Sequence, residues 1–348
     1  MKIVHCIWSF NTGGAETMLV DIANEQAKTL EVCVLIVNDS FQQYLVDKFS
    51  PEVKVVLNHR KPNSRSILPF IRLNRTLRKL RPDVVHLHNA MLAKVVMPWV
   101  SRGLFLTVHA LHLPLGGVRR GVKLIAISEA VKEDVLRRGN YDIVVIPNGI
   151  DVKAIDKRDL HGLERNMHIV QVARLDVQKK GQDILIDALA LLKKRGIENI
   201  DIDFIGEGAS EQVLKMQVEK LGISDRVHFL GLCDRNYIYK HLKDYDLMCH
   251  PSRYEGFGLT VAEGMAAMVP VLVPDNGGPY EIIENGKLGM VFKMGNVEDC
   301  ADKIEYIYNH YQKLGSLVSQ AYKKTCECYS IERMVREYIR FYDKILSV

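Results

Sequence analysis

Leu247-Met248-Cys249-His250-Pro251-Ser252-Arg253-Tyr254-Glu255-Gly256-Phe257-Gly258-Leu259-Thr260-Val261-Ala262-Glu263-Gly264-Met265 runs from a short apolar segment through a glycine-bearing turn into a helical pattern. A continuous apolar strand followed by loop and helix is the βα step of a parallel sheet buried on both faces. The same step recurs outward in both directions. Towards the C-terminus lie strand-like runs at Val269 to Val273 and Met290 to Phe292, then an all-helical stretch beyond Ala301 ending in an amphipathic pattern over Ile331 to Leu346. Towards the N-terminus lie runs at Val227 to Leu230, Ile202 to Ile205 and His168 to Val172, with helical patterns at Gln182 to Lys194, Ser210 to Leu221 and Tyr237 to Leu242. The first half repeats the scheme with strands at Lys2 to Trp8, Val32 to Val37, Val53 to Leu57, Val84 to Leu87, Leu104 to Val108, Leu124 to Ile127 and Ile143 to Ile146. Helices are predicted there at Ala15 to Lys28, Ile67 to Leu80 and Glu129 to Arg138. Two runs of βα repetition predict an α/β protein of two doubly wound Rossmann-like domains facing across a cleft, with ligands at the carboxyl ends of the strands. The polar junction from Pro147 to Asn166 places the boundary at 160/161.

A chain of 348 residues, 47% apolar and 26% charged, has the length and composition of two folded domains. The longest stretch without Asp, Glu, Lys or Arg, Gly103 to Val118, holds two histidines, a proline and glycines, which is no membrane-spanning helix. The start reads directly into a strand, so no secretory leader is expected, and seven scattered cysteines read as reduced cytosolic thiols. The net charge of +5 is uneven. Between Lys54 and Pro82 nine basic residues occur with no acidic one, five of them, Arg72, Arg75, Arg78, Lys79 and Arg81, alternating with Ile67, Leu68, Phe70, Ile71, Leu73, Leu77 and Leu80. That is a basic amphipathic helix, suited either to packing on its own domain with a solvated basic face or to an anionic membrane surface. No nucleic-acid motif accompanies it, so nucleic acid is not an expected partner.

Three loops carry candidate chemistry. Gly13-Gly14 separates the first strand from a helix, where exposed N–H groups favour an anion or simply make a tight turn; the G-x-G-x-x-G spacing is missing. Arg174 at a strand end, with Lys179 and Lys180 just before Gly181, could bring cations to a diphosphate or stand as solvated surface charge. Glu255 in a loop and Glu263 on the following helix would meet a polyhydroxylated ligand at different points.

With these residues in view, the 252–265 segment resembles the E-x7-E motif of family-4-type retaining glycosyltransferases of the GT-B fold, and the likeness extends along the chain. Gly13-Gly14-Ala15-Glu16 is similar to their N-terminal glycine loop, Val85-His86-Leu87-His88 to an H-x-H strand end, and Thr107-Val108-His109 to a T-x-H. Ile146-Pro147-Asn148-Gly149-Ile150-Asp151 and Gly206-Glu207-Gly208 match two further motifs in the right order. The resemblance implies a retaining transferase moving a sugar from a nucleotide sugar to a saccharide or lipid-linked saccharide, in surface polysaccharide or glycolipid assembly. It implies that residues 1–160 bind the acceptor, that 161–325 bind the donor, and that a C-terminal helix within 326–348 packs back on the first domain. By resemblance Arg174 and Lys180, with Lys179 left open, hold the diphosphate. Glu255 and His109 stand near the reacting sugar and Glu263 holds the ribose. Gly14, Gly206 and the N–H groups of Phe257, Gly258 and Leu259 line the donor. Departure of a diphosphate needs positive charge where negative charge grows, which Arg174, Lys180 and helix-start N–H groups would supply.

No cofactor is expected; a UDP sugar is the first expectation for the donor and a GDP sugar the second. His86 and His88 are read as pointing to opposite faces of their strand without a cysteine or carboxylate partner, so no metal is expected there. The strings Asp201-Ile202-Asp203 and Asp244-Tyr245-Asp246 are unremarkable among 22 aspartates, and metal independence is the expectation. A cytoplasmic enzyme, peripheral on the inner membrane face, would fit both signals. The competing readings are a sugar-nucleotide epimerase on the same fold and a non-catalytic sugar-nucleotide-binding protein.

Overall fold

The computed structural model describes residues 1–159, 163 and 166–347. It divides into two compact units, Met1–Gly149 with Ile331–Val348, and Ile150–Ser330. The divisions lie at 149/150 and 330/331, whereas the sequence reading put them at 160/161 and 325/326, the first of which falls outside the described residues. The shift has a physical cause, because the polar junction is tied to the second unit: the Asp156 N–H donates to Tyr239 O at 3.1 Å, and Arg158 bonds Tyr245 O at 2.8 Å and pairs with Asp246.

The first unit holds seven parallel strands, β1 (Lys2–Ile7), β2 (Glu31–Asn38), β3 (Lys54–Arg60), β4 (Val84–Leu87), β5 (Gly103–Val108), β6 (Lys123–Ala126) and β7 (Ile143–Val145). Their order is β3-β2-β1-β4-β5-β6-β7, so the winding direction reverses between β1 and β4, which pair in register from Ile3 against Val84. Such a reversal leaves a crevice above the carboxyl ends of the two strands, and that crevice is where open α/β sheets hold ligands. The helix Ile331–Leu346 belongs to this unit although it lies at the far end of the sequence. Tyr338 and Tyr342 on it are fully buried, the latter edge-on against Phe105 of β5.

The second unit is built the same way from β8 (Met167–Val172), β9 (Ile200–Ile205), β10 (Val227–Gly231), β11 (Leu247–Cys249), β12 (Val271–Pro274) and β13 (Met290–Phe292). The order β10-β9-β8-β11-β12-β13 reverses between β8 and β11, paired at Leu247 against Ile169. The helix Gln182–Lys194 buries Ile184, Leu185, Ala188, Leu189 and Leu192 in a core shared with Met167, Ile169, Ile202 and Phe204 of the sheet. The predicted helix at Tyr237 begins earlier, at Arg235, because Asp234 accepts from the Tyr237 N–H at 2.7 Å and caps it. Short helices at Val177–Lys180 and Gly277–Ile282 were not foreseen, being too short to show a period. All seven cysteines are free thiols, and among the described residues no helix is long and apolar enough to cross a membrane.

Candidate functional site

In the second unit, the chain leaving β8 carries Arg174 and the turn Val177–Gly181, and the chain leaving β11 carries His250 to Gly258. These are the two strands flanking the reversal, so the topology alone brings the predicted residues of both segments to one crevice. The segments are bolted together. Arg253 forks onto the Asp183 carboxylate, Nη1 to Oδ1 at 2.8 Å and Nη2 to Oδ2 at 2.7 Å, while its N–H donates to Lys179 O at 2.8 Å. Gly181 sits at φ +65°, and a Cβ there would lie 2.1 Å from Pro251 O, so only glycine lets the two loops approach this closely.

The result is a compact polar cluster. Lys180 pairs with Glu255 Oε2, and His250 Nε2 lies 3.5 Å from the same oxygen. His250 is itself held by Ser252 Oγ at 2.9 Å and Thr260 Oγ1 at 3.3 Å. Burial alone would raise the Glu255 carboxyl, but the His250 hydrogen bond and the Lys180 charge outweigh it and hold the group well below the usual range. Burial also lowers His250, with the Glu255 hydrogen bond opposing. The structure therefore brings Lys180, not Lys179, to Glu255; Arg174 and Lys179 are exposed, and no side-chain partner is seen for either among the described residues.

The helix Leu259–Ala266 starts from Gly258, which at φ +97° offers no side-chain cap, and the N–H groups of Phe257, Gly258 and Leu259 find no backbone acceptor among the described residues. Such a helix start is a ready donor set for an oxyanion. Glu263 is buried and stands four residues after Leu259, hence on the same helix face and leaning towards that N-terminus. Gly206, at φ +138°, follows β9; a Cβ would meet Ala173 O at 2.1 Å, one residue before Arg174. The aspartate strings have other employment. Asp201 accepts from Arg226 at 3.1 Å, Asp203 from the Tyr245 hydroxyl at 2.9 Å, and Asp246 from the His168 N–H at 2.7 Å.

In the first unit a cavity of about 440 Å³ opens at the carboxyl ends of β1, β4 and β5, lined among others by Trp8, Glu16, His88, Lys94, Thr107 and His109. The helix Gly14–Ala27 begins beside it from Gly13, again without a side-chain cap. Its start is faced by an acid of its own first turn, since a Cβ on Gly13 would lie 2.5 Å from Glu16 Oε2. His86 and His88 correct the sequence reading: two residues apart on a strand, they project to the same face, and their rings stack at 4.6 Å. Their ligand nitrogens and one from His5 lie within 4.8 Å of one another, but every ring nitrogen of the three is already hydrogen-bonded to protein. His86 bridges the Tyr342 hydroxyl at 2.6 Å and Thr107 Oγ1 at 2.7 Å.

The basic helix spans Leu68–Leu80. Leu73 and Leu77 are its buried seam, whereas Arg72, Arg75, Arg78 and Lys79 are exposed beside Ile67, Leu68 and Ile71. Met97 and Trp99, the latter 62% exposed, lie on a segment tied to the helix by Asn74, which accepts from the Met97 N–H at 2.8 Å. Sequence reasoning missed these two, and also Arg253, Asp183 and His250, because each acts through a neighbour that is remote or unremarkable in the chain. The only signal for Arg253 and His250 was their place inside the 247–265 segment.

Family models match nearly end to end, "Glycosyltransferase Family 4" over residues 12–154 and "Glycosyl transferases group 1" over residues 153–324. EpsD of Bacillus subtilis is 36% identical over 192 residues, 55% of this chain and 49% of that protein. The poly(ribitol-phosphate) alpha-N-acetylglucosaminyltransferase of Staphylococcus aureus is 26% identical over 222 residues, 63% of this chain and 43% of that protein. The aligned region thus spans about half the length of these curated relatives. Among solved structures, Alr3699/HepE of Anabaena in complex with UDP-glucose superposes with a TM-score of 0.82 at 24% identity, covering 98% of this chain and 100% of that one.

Proposed function

From a chain that belongs to the family-4-type glycosyltransferases with the GT-B fold, we propose a metal-independent, retaining transferase that moves a sugar from a nucleotide sugar to a saccharide or lipid-linked saccharide acceptor. The observation that carries this reading is the second unit's crevice, where Lys180, Glu255 and His250 form one cluster between Arg174 and the open helix start at Gly258. That arrangement suits a donor. Arg174, Lys180 and the N–H groups of Phe257, Gly258 and Leu259 meet the diphosphate, Glu255 accepts from sugar hydroxyls, and Glu263 accepts from the ribose. Two cations and preset N–H dipoles stabilise the charge that grows on the leaving phosphate, worth several kcal/mol in water-poor sites. Because the D-x-D carboxylates are committed to Arg226, Tyr245 and the His168 N–H, the cationic side chains are the groups left to neutralise that phosphate.

Retention follows from same-face attack, with the departing phosphate oxygen taking the acceptor proton. The first unit, with its cavity at His109 and its amphipathic helix, serves the acceptor and an anionic membrane surface, a setting consistent with a cytoplasmic enzyme of surface polysaccharide or glycolipid assembly. UDP-glucose bound to the Anabaena neighbour favours a UDP sugar over a GDP sugar. The purified chain incubated with a panel of UDP and GDP sugars, with and without membrane extract, is expected to release nucleoside diphosphate from one of them. No release from any donor in either condition would refute the activity and leave the non-catalytic binding reading.

A further inference from the structure

The first unit contains a hydrogen-bonded line that the reaction proposed above does not use. Gln26 Oε1 lies 2.7 Å from His5 Nε2, His5 Nδ1 lies 3.0 Å from His88 Nε2, and His88 Nδ1 lies 3.1 Å from His109 Nε2. Gln26 and His5 are buried, His88 is buried but touches the cavity wall, and the line ends at the half-buried His109, whose ring also lines the cavity. His109 Nδ1 has no partner among the described residues.

A neutral imidazole has one N–H and one lone pair, so consecutive imidazoles joined nitrogen to nitrogen must all point the same way. The direction is set at the closed end. A carbonyl oxygen can only accept, which makes His5 Nε2 a donor and His5 Nδ1 an acceptor. His88 must then donate through Nε2 and accept at Nδ1, and His109 must donate through Nε2. The amide's other end, Nε2 of Gln26, is turned towards the Tyr342 hydroxyl at a looser contact than a full hydrogen bond. We propose that Gln26, His5 and His88 are a positioning relay that holds His109 in its Nε2–H tautomer, so that Nδ1 faces the cavity as an acceptor for a ligand hydroxyl. Neutrality of the line is supported by burial, which lowers His5 and His109 to about 4 and His88 well below its ordinary value. The relay concerns the unliganded protein and stands on its own geometry; use of His109 Nδ1 by a sugar hydroxyl rests on the transferase reading.

The test is a long-range 1H–15N correlation spectrum of the full chain labelled with 15N-histidine at pH 7, the His109 signals being identified by their loss in His109→Asn. His5, His88 and His109 are expected as Nε2–H tautomers in the wild type. Gln26→Met keeps the volume and removes the acceptor, and is expected to give His109 a second population protonated at Nδ1. An Nδ1–H tautomer at His109 in the wild type overturns the relay, and this needs no variant to fold. An unchanged, homogeneous His109 in folded Gln26→Met overturns it as well. With whichever donor the panel identifies, Gln26→Met is expected to lower kcat/KM roughly threefold or more. Correct tautomers with no turnover on any donor would sink the transferase reading and leave the relay standing.

Discussion

Lys180 and Arg174 carry the same charge in different settings. Lys180 is partly buried and already paired with Glu255, whereas Arg174 is exposed. On the proposed reading, a diphosphate at the crevice would find one cation with a fixed position and one able to swing. Removing the fixed one also strands Glu255 beside His250 alone. Lys180→Ala is accordingly expected to lower turnover roughly tenfold or more, about 1.4 kcal/mol of barrier, while the circular dichroism spectrum stays that of the wild type. Lys179→Ala, which removes an exposed side chain, is expected to stay within about twofold of wild type. Steady-state release of nucleoside diphosphate measures both, and equal losses in the two variants would overturn the choice of Lys180. Arg174, Lys180 and Glu255 could be offered as candidates because they follow strands, where such folds put chemistry, and Glu263 because it stands eight residues after Glu255. The choice between adjacent lysines was not, since it depends on which one a loop 75 residues away happens to face. Gln26 and His5 show the limit more sharply: each looks ordinary in the chain, and although His88 and His109 stood out as motif residues, the line that joins all four is visible only in the fold.

The helix Leu68–Leu80 is the element whose sequence and structure agree on an unusual surface. Its arginines are exposed on the same side as Ile67, Leu68 and Ile71, and Trp99 is exposed on the segment bonded to the helix through Asn74. A solvated basic face alone would not leave large apolar groups uncovered, whereas a headgroup layer takes both kinds of group, each cation adding about 1 kcal/mol near an anionic surface. Co-sedimentation with vesicles containing phosphatidylglycerol is expected, weakened roughly tenfold or more when Arg72, Arg75 and Arg78 become Glu, and weakened without a change in salt dependence by Trp99→Ala. Vesicle binding unaffected by the triple change would reject the surface. The helix was legible from its alternating arginines and leucines; Trp99 was not, because it stands on a separate segment. The parallel strands were legible for the opposite reason: burial on both faces writes them as unbroken Val, Ile and Leu runs, as in Val32 to Val37. Four- and six-residue helices such as Val177–Lys180 and Gly277–Ile282 have no room for a period to appear.

At the scale of the whole molecule, the two units differ in what acid does to them. The first buries His5, His86 and His88 completely or nearly so, all kept neutral chiefly by burial. In the unfolded chain each returns to about 6.5. Between that value and its lowered native one, the unfolded form binds the extra proton, so the stabilisation is complete above pH 6.5 and is lost as pH falls. For His5, lowered to about 4, the loss by pH 5 is about 2 kcal/mol. The second unit has His250 in the same sense, with Glu255 opposing the shift, and Glu255 itself begins to count only below the ordinary carboxylate value near 4.5. Both tryptophans, Trp8 and Trp99, belong to the first unit, so their fluorescence reports that unit alone. Its thermal midpoint is expected to fall by roughly 4–8 °C or more between pH 7 and pH 5, ahead of the bulk of the far-ultraviolet dichroism signal, to which the second unit also contributes. A tryptophan midpoint that does not move over that range would mean that the buried histidines take up protons as readily in the folded unit as in the unfolded chain, and a charged imidazole inside the line from Gln26 to His109 is incompatible with the single polarity that orients it.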